Sequence, residues 1–398
     1  MDGTRTEKGL HAREGAILVR RMLAAVLLLL LAAGLMPAGA DTLIDPTADR
    51  GITLAEAGLN ETPEGYSPTT GRRLAFLLAP QGFAGLAVTG RYLPMLVQIG
   101  NDSGGVGDRA PWGITYADII YEMPLTRSEA TRMTAVFSDL IPDSVGYVRS
   151  ARVGHVWLRE EWDGGFLYYG QQEVKGSDVK AEFRKTGADD KGVLFSGTAG
   201  GTAWKHLYTA RKRLKSPYNM DANVAAMSEL VPDSHVAPNH AFRFTDEFPD
   251  GDAAVQVFVN WGKGSSNYSS RLVYREEWQG YIRNAGPDKA DWYADRDGVD
   301  SAIAFANVIV QFTRVEYNHN NKLEPIVYVI GEDGAPAQGN ADFFMGGVHV
   351  AGYWKRDSMS SRTVYYGPDG QEIELQRGRT LIIIFPDDGE DGRSVSYK

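Results

Sequence analysis

Between Arg91 and Arg152 the chain reads RYLPMLVQIGNDSGGVGDRAPWGITYADIIYEMPLTRSEATRMTAVFSDLIPDSVGYVRSAR. Few folds accommodate this order of pieces. Leu93 to Ile99 is a short apolar run that ends in polar loop residues, as a buried strand does. Asp118 to Glu122 and Thr131 to Phe137 have β-branched and aromatic interiors with polar ends, and both read as strands. From Ala151 to about Trp162 the period changes to that of a helix: Val153, Val156, Trp157 and Trp162 fall near one face. Ser150 is the expected N-cap. Three strands followed by a helix predict a mixed α/β lobe.

The polar residues of this stretch are the candidates for function. Asn101 to Arg109 is a Gly-rich loop after the first strand. Such loops can cradle phosphate with backbone N–H groups. This one lacks Gly-Lys-Ser/Thr and does not form GxGxxG before a helix, so it is not a nucleotide loop; its structural reading is a flexible surface turn. Strand alternation puts Asp118, Ile120 and Glu122 on one face and Ile119, Tyr121 and Met123 on the other. At about 3.3 Å per residue, Asp118 and Glu122 lie about 13 Å apart. Hydrolytic carboxylate pairs are separated by about 5 to 9.5 Å, so these two are not a dyad by themselves. Structurally, Asp118 would cap a turn and Glu122 would pair with Arg132.

Arg149 and Arg152 flank the helix start, where free N–H groups and the helix dipole favour an anion. Two guanidiniums add bidentate donors for phosphate or carboxylate. The alternative is a structural bridge to Asp102, Asp118 or Glu122. Farther on, His206 near Tyr208 has the chemistry of an acid or base, or is a structural histidine. The candidate ligand-binding set is therefore Asn101, Asp102, Arg109, Asp118, Glu122, Arg132, Arg149, Arg152, His206 and Tyr208. No catalytic residue is assigned. Trp157, Trp162, Phe166, Tyr168 and Tyr169 form an aromatic cluster, read as core rather than as a platform for a glycan or peptide.

The two ends of the chain set compartment and architecture. Arg20 and Arg21 precede an apolar run from Met22 to Met36, then Pro37 and Ala38-Gly39-Ala40. That pattern reads as a secretory signal peptide over residues 1–40, with an uncleaved N-terminal anchor as the alternative, although the run is marginally short of the roughly 20 residues of a spanning helix. The expected location is extracytoplasmic, secreted or at the cell envelope, soluble or peripheral. With no cysteine, neither lipid attachment through a lipobox nor a disulfide is available. Residues 41–91 read as a linker that only partly packs. The remaining length exceeds what one core usually serves, and two domains are expected, 92–238 and 239–398. In the second, Val255 to Asn260, Ser270 to Glu276, Tyr281 to Asn284, Ile303 to Val315, Glu324 to Ile330 and Thr380 to Phe385 read as strands. Gly346-Gly347 and Pro368-Asp369-Gly370 are turn chemistry. The second lobe is thus β-rich and mainly antiparallel, either a separate domain or strands that join the first sheet.

Charge and motif searches narrow the function. A net charge of -10 argues against general nucleic-acid binding and against simple electrostatic docking on an anionic membrane or wall polymer. The seven histidines show no metal-ligand spacing, no thiolate exists, and no nucleophile elbow occurs. No metal and no cofactor is expected.

The segment Leu96 to Arg152 resembles the N-terminal domain of the YerB-like family, a group of bacterial proteins named as lipoproteins and without assigned function. Its members pair an Asn-containing loop with an "ADIVYE" strand, a "TR.xAVF" strand and an "IGPVRSAR" helix start. Here these are Asn101, Ala117 to Glu122, Thr131 to Phe137 and Val145 to Arg152. His206-Leu207-Tyr208-Thr209 is similar to "HNLYT". Asn307 to Val310, Gly352 to Lys355 and Arg377 to Pro386 are similar to the family's "NVVV", "GxWxK" and "GRTWV..P" elements. The departures are Asn101-Asp102 in place of Asn-His, the missing lipobox cysteine, and Lys289-Ala290-Asp291 where relatives carry His-x-Asp. The resemblance implies an exported, envelope-associated protein and implies no reaction.

Two functions follow as expectations. The first is a non-catalytic exported protein that binds an anionic or wall-derived ligand, or a protein partner, in the cleft of Asn101, Asp102, Arg149 and Arg152. The alternative is a phosphotransferase or hydrolase acting on lipid-linked or wall polymers. Its layout of strand, Asp, strand and Arg near a helix start is loosely similar to the LytR-CpsA-Psr phosphotransferases, whose defining motifs are not reproduced here.

Overall fold

The computed structural model describes residues 64–125, 130–262, 268–285, 292–298, 302–317 and 325–398. The expected signal peptide, the first part of the linker and Lys289-Ala290-Asp291 lie outside the described residues.

The first three strands form where the apolar runs are. They are β1 (Met95–Gly100), β2 (Ile119–Pro124) and β3 (Thr131–Phe137), and every residue in them is buried. Burial on both faces is what near-continuous apolar strands require. β3 lies between β1 and β2 and is antiparallel to both. Helix α1 (Val153–Trp162) follows, then β4 (Gly165–Tyr168), α2 (Val179–Thr186), β5 (Leu194–Ser196) and α3 (Val224–Glu229). β4 is parallel to β1, and β5 is parallel to β4.

The second half does two things, and so answers the choice the sequence left open. Part of it extends the first sheet. β6 (Asp252–Ala253), β11 (Asn307–Thr313), β12 (Ala337–Met345), β13 (Val348–Arg356), β14 (Val364–Tyr366) and β15 (Thr380–Pro386) complete an 11-stranded sheet, in which β15 runs parallel to both β2 and β11. The Gly346-Gly347 turn joins β12 to β13 as the sequence predicts, with both glycines at positive φ. Another part builds a separate antiparallel sheet of β7 (Gln256–Asn260), β8 (Ser270–Arg275), β9 (Gly280–Ala285), β10 (Ala304–Phe305) and β16 (Ser394–Tyr397).

Strand alternation divides two large cores. Met95, Val97, Ile99, Ile120, Met133, Ala135 and Phe137 face Val257, Val259, Leu272 and Tyr281 of the antiparallel sheet. Leu96, Ile119, Tyr121, Met123 and Val136 face α1 and α2 through Val156, Trp157, Trp162, Val179 and Phe183. The aromatic cluster is therefore core: Trp157, Trp162, Phe166 and Tyr168 are buried, and Tyr169 packs partly buried against the first core.

Several local expectations shift. Residues 64–91 pack in part: Ser67, Thr69 and Thr70 are buried, and Ser67 Oγ and Thr70 Oγ1 donate to Asp139 at 2.6 and 2.7 Å. Ser150 is not the cap of α1. Its hydroxyl donates to the Tyr169 carbonyl at 3.3 Å, and Arg152 takes the N-cap position. α2 starts at Val179 because Glu173–Val174 and Ser177–Asp178 form a tight hairpin first, and Asp178 caps the helix by accepting from Ala181 N–H. The Gly-rich loop is not a flexible surface turn. It folds into two 3-10 turns, with Asn101, Gly104, Gly105 and Val106 buried. Gly105 sits at φ +66 against Tyr293, a position with no room for a side chain.

Candidate functional site

Arg132 sits near the start of β3, opposite Gly100 on one side and Met123 on the other. Alternation turns its side chain to the α1 face, away from Met133. Burial there is nearly complete, at 3% exposure. Its Nε and Nη1 atoms have no hydrogen-bond partner. Burial, and then the charges of Arg149 and Arg152, push the Arg132 pKa down to about 9.

The segment before α1 brings the other cations to the same place. Arg149 N–H donates to the Gln98 carbonyl at 2.8 Å, which ties the segment across the end of β1. Tyr147 lays its ring over Gly100, where any Cβ would collide with it. Arg152 N–H donates to His155 Nδ1 at 2.9 Å. With Nδ1 accepting, the imidazole proton resides on Nε2. His155 is fully buried, and its Nε2 has no partner. Burial, then Arg132 and Arg152, hold its pKa well below the usual histidine range, so the ring is neutral.

Among the described residues, Asp102 brings a carboxylate to this cluster. Asp102 Oδ2 lies 3.9 Å from Arg149 Nε and accepts from the Tyr147 hydroxyl at 3.3 Å. The Asp102 N–H donates back to that hydroxyl at 3.1 Å. Arg109 and Arg149 both stand over the Tyr218 ring, at 4.0 and 5.6 Å from its centre. Tyr218 meets Tyr147 edge to face at 5.6 Å. Tyr268 completes the surround: it feels the charges of Asp102, Arg132 and Arg109 and bonds to the Ser103 backbone. The arrangement is a cationic site with buried N–H donors and one restrained carboxylate. It can hold an anion.

Asp102, Arg109, Arg132, Arg149 and Arg152 are thus brought together, and the rest of the predicted set is not. Glu122 does not pair with Arg132. Alternation sends it to the opposite face, where it is fully buried and contacts Arg283 Nη2 at 3.3 and 3.2 Å. Asn101 belongs to that second cluster, donating to Glu122 at 3.0 Å and to Thr131 Oγ1 at 2.7 Å. Asp118 does more than cap a turn. Its Oδ2 accepts from Ser138 N–H, Ser138 Oγ and Asp139 N–H at 2.5, 2.8 and 3.0 Å. Burial and the neighbouring Asp139 charge raise its pKa well above the carboxylate range. His206 is exposed. The Tyr208 hydroxyl is spent on the main-chain carbonyls of Phe195 and Tyr168, at 2.6 and 3.4 Å.

Sequence reasoning missed Tyr147, His155, Tyr218 and Tyr268. His155 carried a readable signal: a histidine three residues after an arginine at a helix start can fold back onto the cap. Tyr218 and Tyr268 carried none, because they reach the site from distant loops. Among the described residues, no group of three potential ligands could hold a metal, and no helix is long and apolar enough to cross a membrane.

The chain matches two family models. One describes the N-terminal domain of a protein family of unknown function, DUF3048, and covers residues 83–227. The other describes the C-terminal domain of the same family and covers residues 257–382. "Putative lipoprotein YerB" of Bacillus subtilis (strain 168) is 24% identical over 303 residues, which span 71% of this chain and 78% of that protein. The crystal structure of the YerB protein from Bacillus subtilis superposes with a TM-score of 0.61 at 21% identity, covering 83% of this chain and 99% of the other. At that identity the likeness concerns the fold.

Proposed function

We propose that this chain, which belongs to the DUF3048 family of proteins of unknown function, is an envelope-associated protein that binds an anionic ligand in the cleft of Arg132, Arg149 and Arg152. One observation carries the reading: Arg132 is a buried cation whose Nε and Nη1 have no hydrogen-bond partner among the described residues. A buried charge is costly unless something pairs with it. The neighbouring charges make matters worse, since Arg149 and Arg152 repel it and Asp102 is a single counter-charge. A bound anion removes that cost. The arginines cluster here although the net charge is -10, so the positive charge is a local feature and not a property of the whole surface.

The enzymatic alternative needs a carboxylate or another base free to act beside the arginines. Asp118 and Glu122 are committed elsewhere, and Asp102 is held by Tyr147 and Arg149. Binding is therefore the better supported reading. The envelope location rests on the leader-like sequence and on the name of the Bacillus subtilis relative.

Titration calorimetry with small anions on the folded protein tests the reading. Arg149→Ala and Arg152→Ala should each weaken binding about tenfold or more, since a charge-assisted bond is worth about 1.5 to 3 kcal/mol. Melting temperatures should change little. Unchanged affinity with a large drop in melting temperature would reject the site and leave both arginines as scaffold.

A further inference from the structure

We propose that the anion is a dianionic phosphoryl group, free phosphate or a terminal phosphate monoester, held by Arg132 Nε and Nη1, Arg149 Nε and His155 Nε2. The assignment rests on the anion-binding reading above and narrows it to one chemistry.

The first argument counts donors. Arg132 Nε, Arg132 Nη1, Arg149 Nε and His155 Nε2 are all buried nitrogen atoms without a hydrogen-bond partner. They come from three places: β3, the segment before α1, and the first turn of α1. A carboxylate offers two oxygens in one plane. A phosphoryl group offers three peripheral oxygens arranged tetrahedrally, which suits donors arriving from several elements. The α1 N-terminus adds its positive end on the same side.

The second argument is charge. Arg109, Arg132 and Arg149 oppose Asp102 alone among the described residues of the cluster. A monoanion leaves most of that excess in place, and a dianion removes more of it. His155 fits the same assignment. Its ring stays neutral and offers Nε2–H, so it donates without adding another positive charge to a crowded site. A cationic side chain there would face Arg132 and Arg152 directly.

Calorimetry at two pH values tests the assignment with inorganic phosphate, glycerol phosphate, dimethyl phosphate, sulfate and malonate as probes. A phosphate monoester loses its second proton near a pKa of about 6. Glycerol phosphate should therefore bind about tenfold more tightly at pH 8 than at pH 5, and inorganic phosphate should gain more, because its second proton leaves about one pH unit higher, with sulfate nearly constant. Dimethyl phosphate, a tetrahedral monoanion, should bind at least tenfold more weakly than phosphate at pH 8. Arg132→Gln should lower phosphate affinity at least tenfold. Arg149→Gln serves as a second variant if the first does not fold, and His155→Phe should reduce affinity in either background. Binding of malonate in preference to phosphate would overturn the phosphoryl assignment and leave the anion site standing. Equal binding of dimethyl phosphate would overturn the requirement for a dianion. No binding of any probe would remove both readings. Wild-type phosphate affinity in folded Arg132→Gln would move the site elsewhere.

Discussion

Glu122 and Arg283, 161 residues apart in the chain, meet with both side chains fully buried, Arg283 Nη2 lying 3.3 and 3.2 Å from the two carboxylate oxygens. Around them, Asn101 and Thr131 donate to Glu122, and Arg283 Nη1 donates to the Gly104 carbonyl at 3.1 Å. The pair links β2 of the large sheet to β9 of the antiparallel sheet across one core. It is structural, and it explains why a carboxylate in the most polar stretch of the chain is not part of the proposed anion site.

Breaking that pair should be severe. Glu122→Gln or Arg283→Met leaves one buried charge uncompensated, and each should destabilise the protein by about 3 to 5 kcal/mol. Urea unfolding measures it. The double variant should cost clearly less than the sum of the two, because the second change removes the charge that the first one stranded. Additive losses would show that the two residues act independently.

Arg132 should behave in the opposite way. Replacing an unpaired buried cation with an apolar side chain of similar length relieves a cost, so Arg132→Met should raise the stability of ligand-free protein by about 0.5 to 2 kcal/mol while abolishing anion binding. A thermal melt with and without phosphate reads both effects. A loss of several kcal/mol would instead mark Arg132 as scaffold.

The Asp118–Asp139 pair should make stability pH-dependent. Burial raises both carboxyl groups above their ordinary range, and each adds to or borders the other's charge. A folded-state pKa above the unfolded value means that the native protein holds the extra proton. Stability is then greatest below the unfolded carboxylate pKa, near 4, and falls as pH rises from there through the raised folded values. Asp118→Asn keeps an oxygen for the Ser138 and Asp139 N–H groups and removes the titration. Melting temperature measured against pH should fall less steeply above about pH 4 in the variant than in the parent. Parallel curves would show that Asp118 titrates normally.

His206 and Tyr208 should separate. His206→Ala changes an exposed side chain and should alter stability by less than about 0.5 kcal/mol. Tyr208→Phe removes a hydroxyl bonded to two buried carbonyls and should cost about 1 kcal/mol. Neither should change phosphate affinity, measured in the same calorimetric assay.

What the sequence determined by itself was local and periodic. The apolar runs at Met95–Gly100, Ile119–Pro124 and Thr131–Phe137 are long enough to specify strands, and period-two alternation correctly divides Asp118 and Glu122 from Ile119 and Tyr121. The helical stripe of Val153, Val156, Trp157 and Trp162 likewise announced α1, and Gly346-Gly347 announced its hairpin. The approach of Arg149 to Asp102 was also visible, because both lie at the ends of neighbouring elements. Tertiary structure alone decided the partners. Glu122 could reach Arg132, on the directly paired neighbouring strand, or an arginine from anywhere in the second half. Alternation denied it the first, and the antiparallel sheet that covers that face supplied Arg283. Arg132, sent to the other face, was left among cations. Local periodicity fixes which face a side chain takes, whereas charge pairing depends on which distant strand packs over that face, and no short stretch of sequence encodes that.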